Sequence, residues 1–233
     1  MHSRRRIARE GAEREVVYSI DQWKILERKR KLAIKVLSEA SRLGIVGGGV
    51  HGSVARGDVG DKSDIDLFFV RVVPISLIEV FRDSIDRIAG VREVELIQAC
   101  PGKALKLYLY LDGNISVSFP VTPLSKTEYE FYRFGGAVSL KELLEGRRAP
   151  GVNKKLLMIE PTPKGHVEYP IVGREGVIAR KLGISMETVL ERVRVLTRRE
   201  EIGRTGVYIK LDVGESLAEA IRVALRRRKR IAL

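Results

Sequence analysis

His51-Gly52-Ser53-Val54-Ala55-Arg56-Gly57, then a polar loop, then Ser63-Asp64-Ile65-Asp66-Leu67-Phe68-Phe69-Val70 is the stretch that decides how this chain folds. The residues before it, Gly44 to Val50, are small and apolar and read as a short buried strand entering a tight bend. Gly52 has no Cβ, so an anion can approach its backbone and unusual φ angles cost little. Ser53 offers a hydroxyl and an N–H at the start of a helix, where the first N–H groups lack partners and the dipole favours negative charge. Arg56 adds a forked cation suited to phosphate oxygens. Beyond the loop, side chains alternate faces along a strand. Asp64 and Asp66 therefore share one face, and Ile65 and Leu67 take the other. Two adjacent carboxylates repel unless a cation lies between them. Magnesium takes oxygen ligands, few of them from protein, and keeps substrate phosphates in its shell.

The order of these residues resembles the nucleotidyltransferase superfamily that includes DNA polymerase beta, the CCA-adding enzymes and the small archaeal and bacterial nucleotidyltransferases. The pattern is a Gly-Ser turn, an Arg-Gly soon after, and an Asp-x-Asp strand, here Gly52, Ser53, Arg56, Gly57, Asp64 and Asp66. The resemblance implies an α+β fold with a mixed sheet flanked by helices. It also implies that Gly52, Ser53 and Arg56 bind a nucleoside triphosphate and that Asp64 and Asp66 bind Mg2+ (or Mn2+). The reaction implied is transfer of a nucleoside monophosphate to an acceptor hydroxyl with release of pyrophosphate.

Active members carry a third acid on a later strand. After a helix at residues 75–88 comes Gly90-Val91-Arg92-Glu93-Val94-Glu95-Leu96-Ile97, and in the shorter register Glu95 is that third catalytic carboxylate. The longer register adds the run 103–111, the hairpin turn Asp112-Gly113-Asn114, and Ile115 to Val121; Asp-Gly between alternating runs is a strong hairpin signal. There the position falls at Ser116 or Ser118. Residues 127–144 loosely follow the palm ending of polymerase beta (Tyr132, Phe134, Gly135, Gly136), which favours the longer register and would impair catalysis.

A chain of 233 residues, 44% hydrophobic and 31% charged, is long enough for one medium domain and a small one. No apolar run has the length of a membrane span, and no signal peptide is expected. Cys100 has no second cysteine to pair with, which suits a reducing cytoplasm; it reads as a buried or half-buried small hydrophobe. Asn and Gln are confined to Gln22, Gln98, Asn114 and Asn153, a thermophile-like balance. The formal net charge of +13 favours DNA, RNA or another polyanion as partner. Basic clusters stand at Arg4-Arg5-Arg6 and Arg226-Arg227-Arg228-Lys229-Arg230.

The expected organisation is a nucleotidyltransferase domain over 1–150, with 1–20 loose, a linker over 151–168 and a second domain over 169–233. Asp21 is expected to cap a helix running to about Arg42. In the second domain, a helix to Leu182, a Gly183-Ile184-Ser185 turn, a helix from Met186 to Arg199 and a two-strand tip over 201–210 resemble winged helix-turn-helix domains. That resemblance places Arg192, Arg194, Arg198, Arg199 and Arg204 against nucleic-acid phosphates. Two functions follow: a magnesium-dependent nucleotidyltransferase with a nucleic-acid-binding C-terminal domain, or a catalytically impaired relative serving as a DNA-binding regulator.

Overall fold

Alternation along the strands separates two faces of one large sheet, and the face bearing the acids is the one left free for chemistry. The computed structural model describes residues 7–203, 205–214 and 216–230. In chain order the elements are β1 (Arg14–Val17), α1 (Ile20–Arg42), β2 (Gly48–His51), α2 (Ser53–Arg56), β3 (Ile65–Phe69), α3 (Ile75–Ala89), β4 (Val91–Gln98), β5 (Leu105–Leu111), β6 (Ile115–Pro120), α4 (Lys126–Phe134), β7 (Ala137–Ser139), α5 (Leu140–Leu144), β8 (Gly151–Val152), β9 (Leu157–Thr162), β10 (Gly165–Pro170), α6 (Glu175–Leu182), α7 (Met186–Ile202), β11 (Ile209–Asp212) and α8 (Leu217–Arg230). Seven strands form a mixed sheet in the order β11-β4-β5-β6-β3-β2-β7, in which β3 and β6 are parallel and the other pairs antiparallel. The fold is α+β.

Ile65, Leu67 and Phe69 of β3 lie beside Ile115, Val117 and Phe119 of β6 and the leucines of β5 in one core. α1 covers it with Leu26, Ala33, Val36, Leu37 and Ala40, a stripe at helical spacing. Each fully buried Leu, Ile or Phe there contributes about 1.5–3 kcal/mol. The alternate residues of the same strands, Asp66 and Ser116 among them, face the other way. The helix cap lies two residues before the expected one: Ser19 accepts the N–H of Gln22, and Asp21 sits in the first turn. Among the described residues no helix is long and apolar enough to cross a membrane. Cys100 is exposed after β4, not buried or half-buried as expected.

The second half of the chain is organised differently from the sequence expectation. Residues 151–168, expected to be a linker, are built into structure: β8, β9 and β10 join β1 in a four-stranded antiparallel sheet ordered β1-β10-β9-β8. Leu156, Met158 and Ile159 are fully buried there. Residues 14–17, expected to be loose, add to this sheet through backbone pairing with β10, which needs no apolar pattern in β1. The helix pair α6–α7 forms, with Ser185 capping α7 as expected. The wing does not form as drawn. α7 continues to Ile202, and the strand that follows pairs with β4 at the edge of the large sheet. α8 then returns Leu217, Ile221 and Ala224 to the first core. Residues 209–230 thus belong to the first core and not to a separate C-terminal domain.

A buried carboxylate fixes α7 against α4. Glu130 accepts from the Ser185 N–H (2.9 Å), the Ser185 hydroxyl (2.5 Å) and the Thr188 hydroxyl (2.6 Å). Burial pushes its pKa up, but the donors on Ser185 and Thr188 outweigh that and hold it below the ordinary carboxylate range. A depressed folded pKa means stability that is full above the unfolded value of about 4.3 and is lost as pH falls through the folded one. Glu130→Gln should cost about 1–3 kcal/mol and raise amide exchange in α6–α7. The wild type should show the same local loosening only in acid, below the ordinary glutamate range.

Candidate functional site

The bend after β2 is built by glycine. Gly52 sits at φ 80°, ψ −147°, a conformation side chains resist. Its N–H donates to Gly136 O (2.9 Å) and its carbonyl accepts from Arg56 N (3.0 Å). α2 has four residues, so its dipole is small. No side chain caps it, and its first N–H groups lack intrahelical partners. A methyl group on Gly52 would lie 3.9 Å from Asp66 Oδ2. The bend and the acidic strand therefore converge on one space.

That space is a cleft of about 670 Å³. Gly52, Ser53, Asp64 and Asp66 form one side. Arg192, Leu196 and Arg199 of α7 and Asn153, Lys154 and Lys155 of the β8–β9 turn also line it, with Phe131 and Lys62. Asp64 precedes β3 and is exposed; Asp66, within β3, is half-buried. The Ser116 hydroxyl donates to Asp66 Oδ1 at 3.0 Å, because β6 runs parallel to β3 with Ser116 directly opposite Asp66. Ser118 lies two residues on and donates to Leu67 O (3.3 Å). The neighbouring strand thus presents a hydroxyl beside the aspartates.

Glu95 does not join them. It lies on β4, and β5 and β6 intervene before β3. Three strand spacings amount to roughly 14 Å. Its carboxylate is ion-paired with Lys210. Burial raises its pKa, but bonds from Lys210, Glu93 and Tyr110 bring it below the ordinary value. Glu93, Glu95 and Asp212 place one oxygen each within 4.8 Å of one another, a spacing compatible with a cation. This group stands at the far end of the sheet, and the Lys210 ammonium already supplies it with positive charge.

Arg56 lines the cleft but its fork is committed. Nε and Nη2 hold the two oxygens of Asp58 (2.9 and 3.0 Å), and Nη1 donates to Gly135 O. It is buried, and it holds the turn in place where the sequence suggested a free phosphate ligand. A methyl on Gly136 would lie 2.6 Å from Arg56 Cγ, so glycine there makes room for this brace.

Of the residues expected to meet nucleic acid, Arg192 and Arg199 face the cleft. Arg194 and Arg198 are exposed on α7 and do not line it, and Arg204 lies outside the described residues, as do Arg4, Arg5 and Arg6. Arg192 stacks 4.7 Å over the Phe131 ring. Burial, then repulsion by Arg199, pushes its pKa down to about 10.

His51 lies between Phe68, Phe131 and Tyr132, each ring centroid within 5.7 Å, and burial pushes its pKa down to about 4 against the pull of Asp66. Sequence reasoning missed Lys62, Lys154 and Lys155, which look like ordinary loop lysines. It also missed Lys29 and Arg30, whose buried heads hold the loop carbonyls of Ser63 and Asp61 and the α2 carbonyls of Val54 and Ala55.

Comparison with protein-family models gives no match, and comparison with curated proteins gives none. Among solved structures, a chain of the "structure of GLD-2/RNP-8 complex" is similar at 19% identity and a TM-score of 0.33, over 50% of this chain and 46% of that one. This chain thus spans less than half the length of its structural neighbour, and a likeness of that size is no guide to activity.

Gly52→Ala should distort the bend while leaving both sheets formed. Affinity for a magnesium complex of a non-hydrolysable nucleoside triphosphate, measured by calorimetry, should fall at least tenfold, about 1.4 kcal/mol, with the far-ultraviolet dichroism unchanged.

Proposed function

We propose that the protein is a nucleotidyltransferase. Gly52 and Ser53 hold the phosphates of a nucleoside triphosphate, and Asp64 and Asp66 hold the divalent cation that accompanies it. The observation that carries this reading is the convergence of the Gly52 bend and Asp66 within one cleft. The donor set fits a small hard cation: two carboxylates on one side, with space in front for phosphate oxygens and water. Mg2+ or Mn2+ bound there would neutralise charge on the departing pyrophosphate. In the transfer, the oxygen of an acceptor hydroxyl bonds to the α-phosphorus and the bond from that phosphorus to the bridging oxygen of the pyrophosphate breaks. The hydroxyl proton leaves to solvent. The chain's own part is to fix the phosphates at the bend and to hold the aspartates facing them. The net charge of +13 supports nucleic acid as partner.

A second reading has its own observation. Ser116 stands where a third acid would lie, and a hydroxyl is a poor substitute for a carboxylate as ligand or base. In that reading the cleft binds a magnesium–nucleotide complex without turning it over.

Incubation with Mg2+, each labelled nucleoside triphosphate and mixed acceptors distinguishes the two. The first reading expects label in an acceptor and its loss in Asp64→Asn with Asp66→Asn. Binding of all four nucleotides with no transfer to any acceptor would favour the second. Ser116→Asp should tighten Mg2+ binding on the order of tenfold, since affinity for hard cations follows the charge of the ligand set. Calorimetric titration with MgCl2 reads that change; an unaltered isotherm would mean that residue 116 lies outside the cation's reach.

A further inference from the structure

We propose that the cleft wall formed by α7 and the β8–β9 turn is an acceptor subsite for the end of a single-stranded nucleic acid, with Arg192, Arg199, Lys154 and Lys155 taking its phosphodiesters and an unpaired base meeting the stack of Arg192 on Phe131. The proposal rests on the reading of the cleft as a nucleotide site, and it replaces the outward, groove-reading role that a winged fold would give α7.

Three observations carry it. The first is placement. Glu130 anchors the start of α7 to α4, so the helix runs along the cleft and turns Arg192, Leu196 and Arg199 into it. The second is uncompensated charge. Among the described residues, none of Lys62, Lys154, Lys155, Arg192 and Arg199 forms an ion pair, and the buried Nε of Arg192 has no hydrogen-bond partner. Glu200 also lines this wall, but its oxygens accept from Ile7 N (2.7 Å) and Arg9 (2.8 Å). The Gly52 bend already provides for a triphosphate, so these cations need a second anion. The third is the company they keep. The Arg192 guanidinium laid on Phe131, in a cleft also lined by Leu196 and Ile7, gives a planar surface with apolar surroundings of the kind on which unpaired bases stack. A cleft of about 670 Å³ is the size of a small-ligand site, enough for a nucleotide and a strand end and too small for a duplex.

The test uses the full chain and a fluorescein-labelled single-stranded decamer, as DNA and as RNA, followed by anisotropy across a salt series. Nucleotide binding is read separately by calorimetry with a magnesium complex of a non-hydrolysable triphosphate. Arg199→Ala with Lys154→Ala and Lys155→Ala should weaken decamer binding ten- to a hundredfold. It should also lower the slope of log affinity against log salt by about two, at roughly 0.7 for each phosphate no longer neutralised. Arg194→Ala with Arg198→Ala removes nearby charge outside the cleft and should change decamer affinity less than threefold. Equal losses in the two variants would overturn the subsite, as would wild-type preference for a duplex of the same sequence. A fall in triphosphate affinity matching the fall for the decamer would also overturn it, by assigning these cations to the nucleotide. Asp64→Asn with Asp66→Asn separates the two proposals. It should abolish triphosphate binding and spare the decamer, so a failure of the nucleotide reading leaves the decamer result to be judged alone.

Discussion

The guanidinium of Arg56 is the constraint on which the cleft depends. It is buried, and it ties together the turn that contains it, Asp58 in the following loop and Gly135 at the end of α4. A helix of four residues leaves most of its carbonyls without intrahelical partners, and α1 supplies donors to two of them. Arg30 reaches Val54 O and Ala55 O, and Lys29 reaches Ser63 O (2.6 Å), the residue just before Asp64. Burying a cation costs several kcal/mol unless its donors are satisfied. Here the carbonyls and the carboxylate both satisfy the cations and are satisfied by them. The result is a bend and an acidic strand held rigidly about a common space.

The far wall hangs on the same brace. α4 ends at Gly135, which Arg56 holds, and Glu130 on α4 receives the cap of α7. The turn and the helix α7 thus rest on a common support, α4, although residues 52–66 and 186–202 are far apart in the chain. The four-stranded sheet completes the linkage, since its β8–β9 turn carries Lys154 and Lys155 to the same opening.

The parts of this arrangement legible in the sequence were those written in local patterns. Alternation from Asp64 to Phe69 gives the strand and the shared face of the aspartates, the Asp-Gly turn gives the β5–β6 hairpin, and Ser185 gives the start of α7. What escaped depends on pairing between distant segments. β1 has mostly exposed side chains and exists through its backbone ladder to β10. β11 carries an ordinary strand pattern that fits a wing as well as a sheet edge, and only the partner β4 decides between them. Arg56 has the residue type of a phosphate ligand, and its commitment to Asp58 and Gly135 comes from the tertiary fold. The separation of Glu95 from Asp66 turned on strand order, since β5 and β6 stand between β4 and β3.

The cleft cations that form no ion pair among the described residues have one electrostatic consequence. Of the charged groups around the cleft, Arg56 is neutralised by Asp58 and Glu200 is engaged by Arg9. What remains is Asp64 and Asp66 on one side against Lys62, Lys154, Lys155, Arg192 and Arg199 on the others. A third carboxylate at residue 116 would have brought this space nearer to neutrality. With Ser116 in its place the potential is positive, and a cleft with low-dielectric walls concentrates that field at its mouth. The aspartates alone would favour free cations. Within this ring of basic groups, a cation that arrives already bound to phosphates is favoured over one arriving alone. The same surplus of positive charge makes the α7 and β8–β9 side of the cleft the more favourable one for anions.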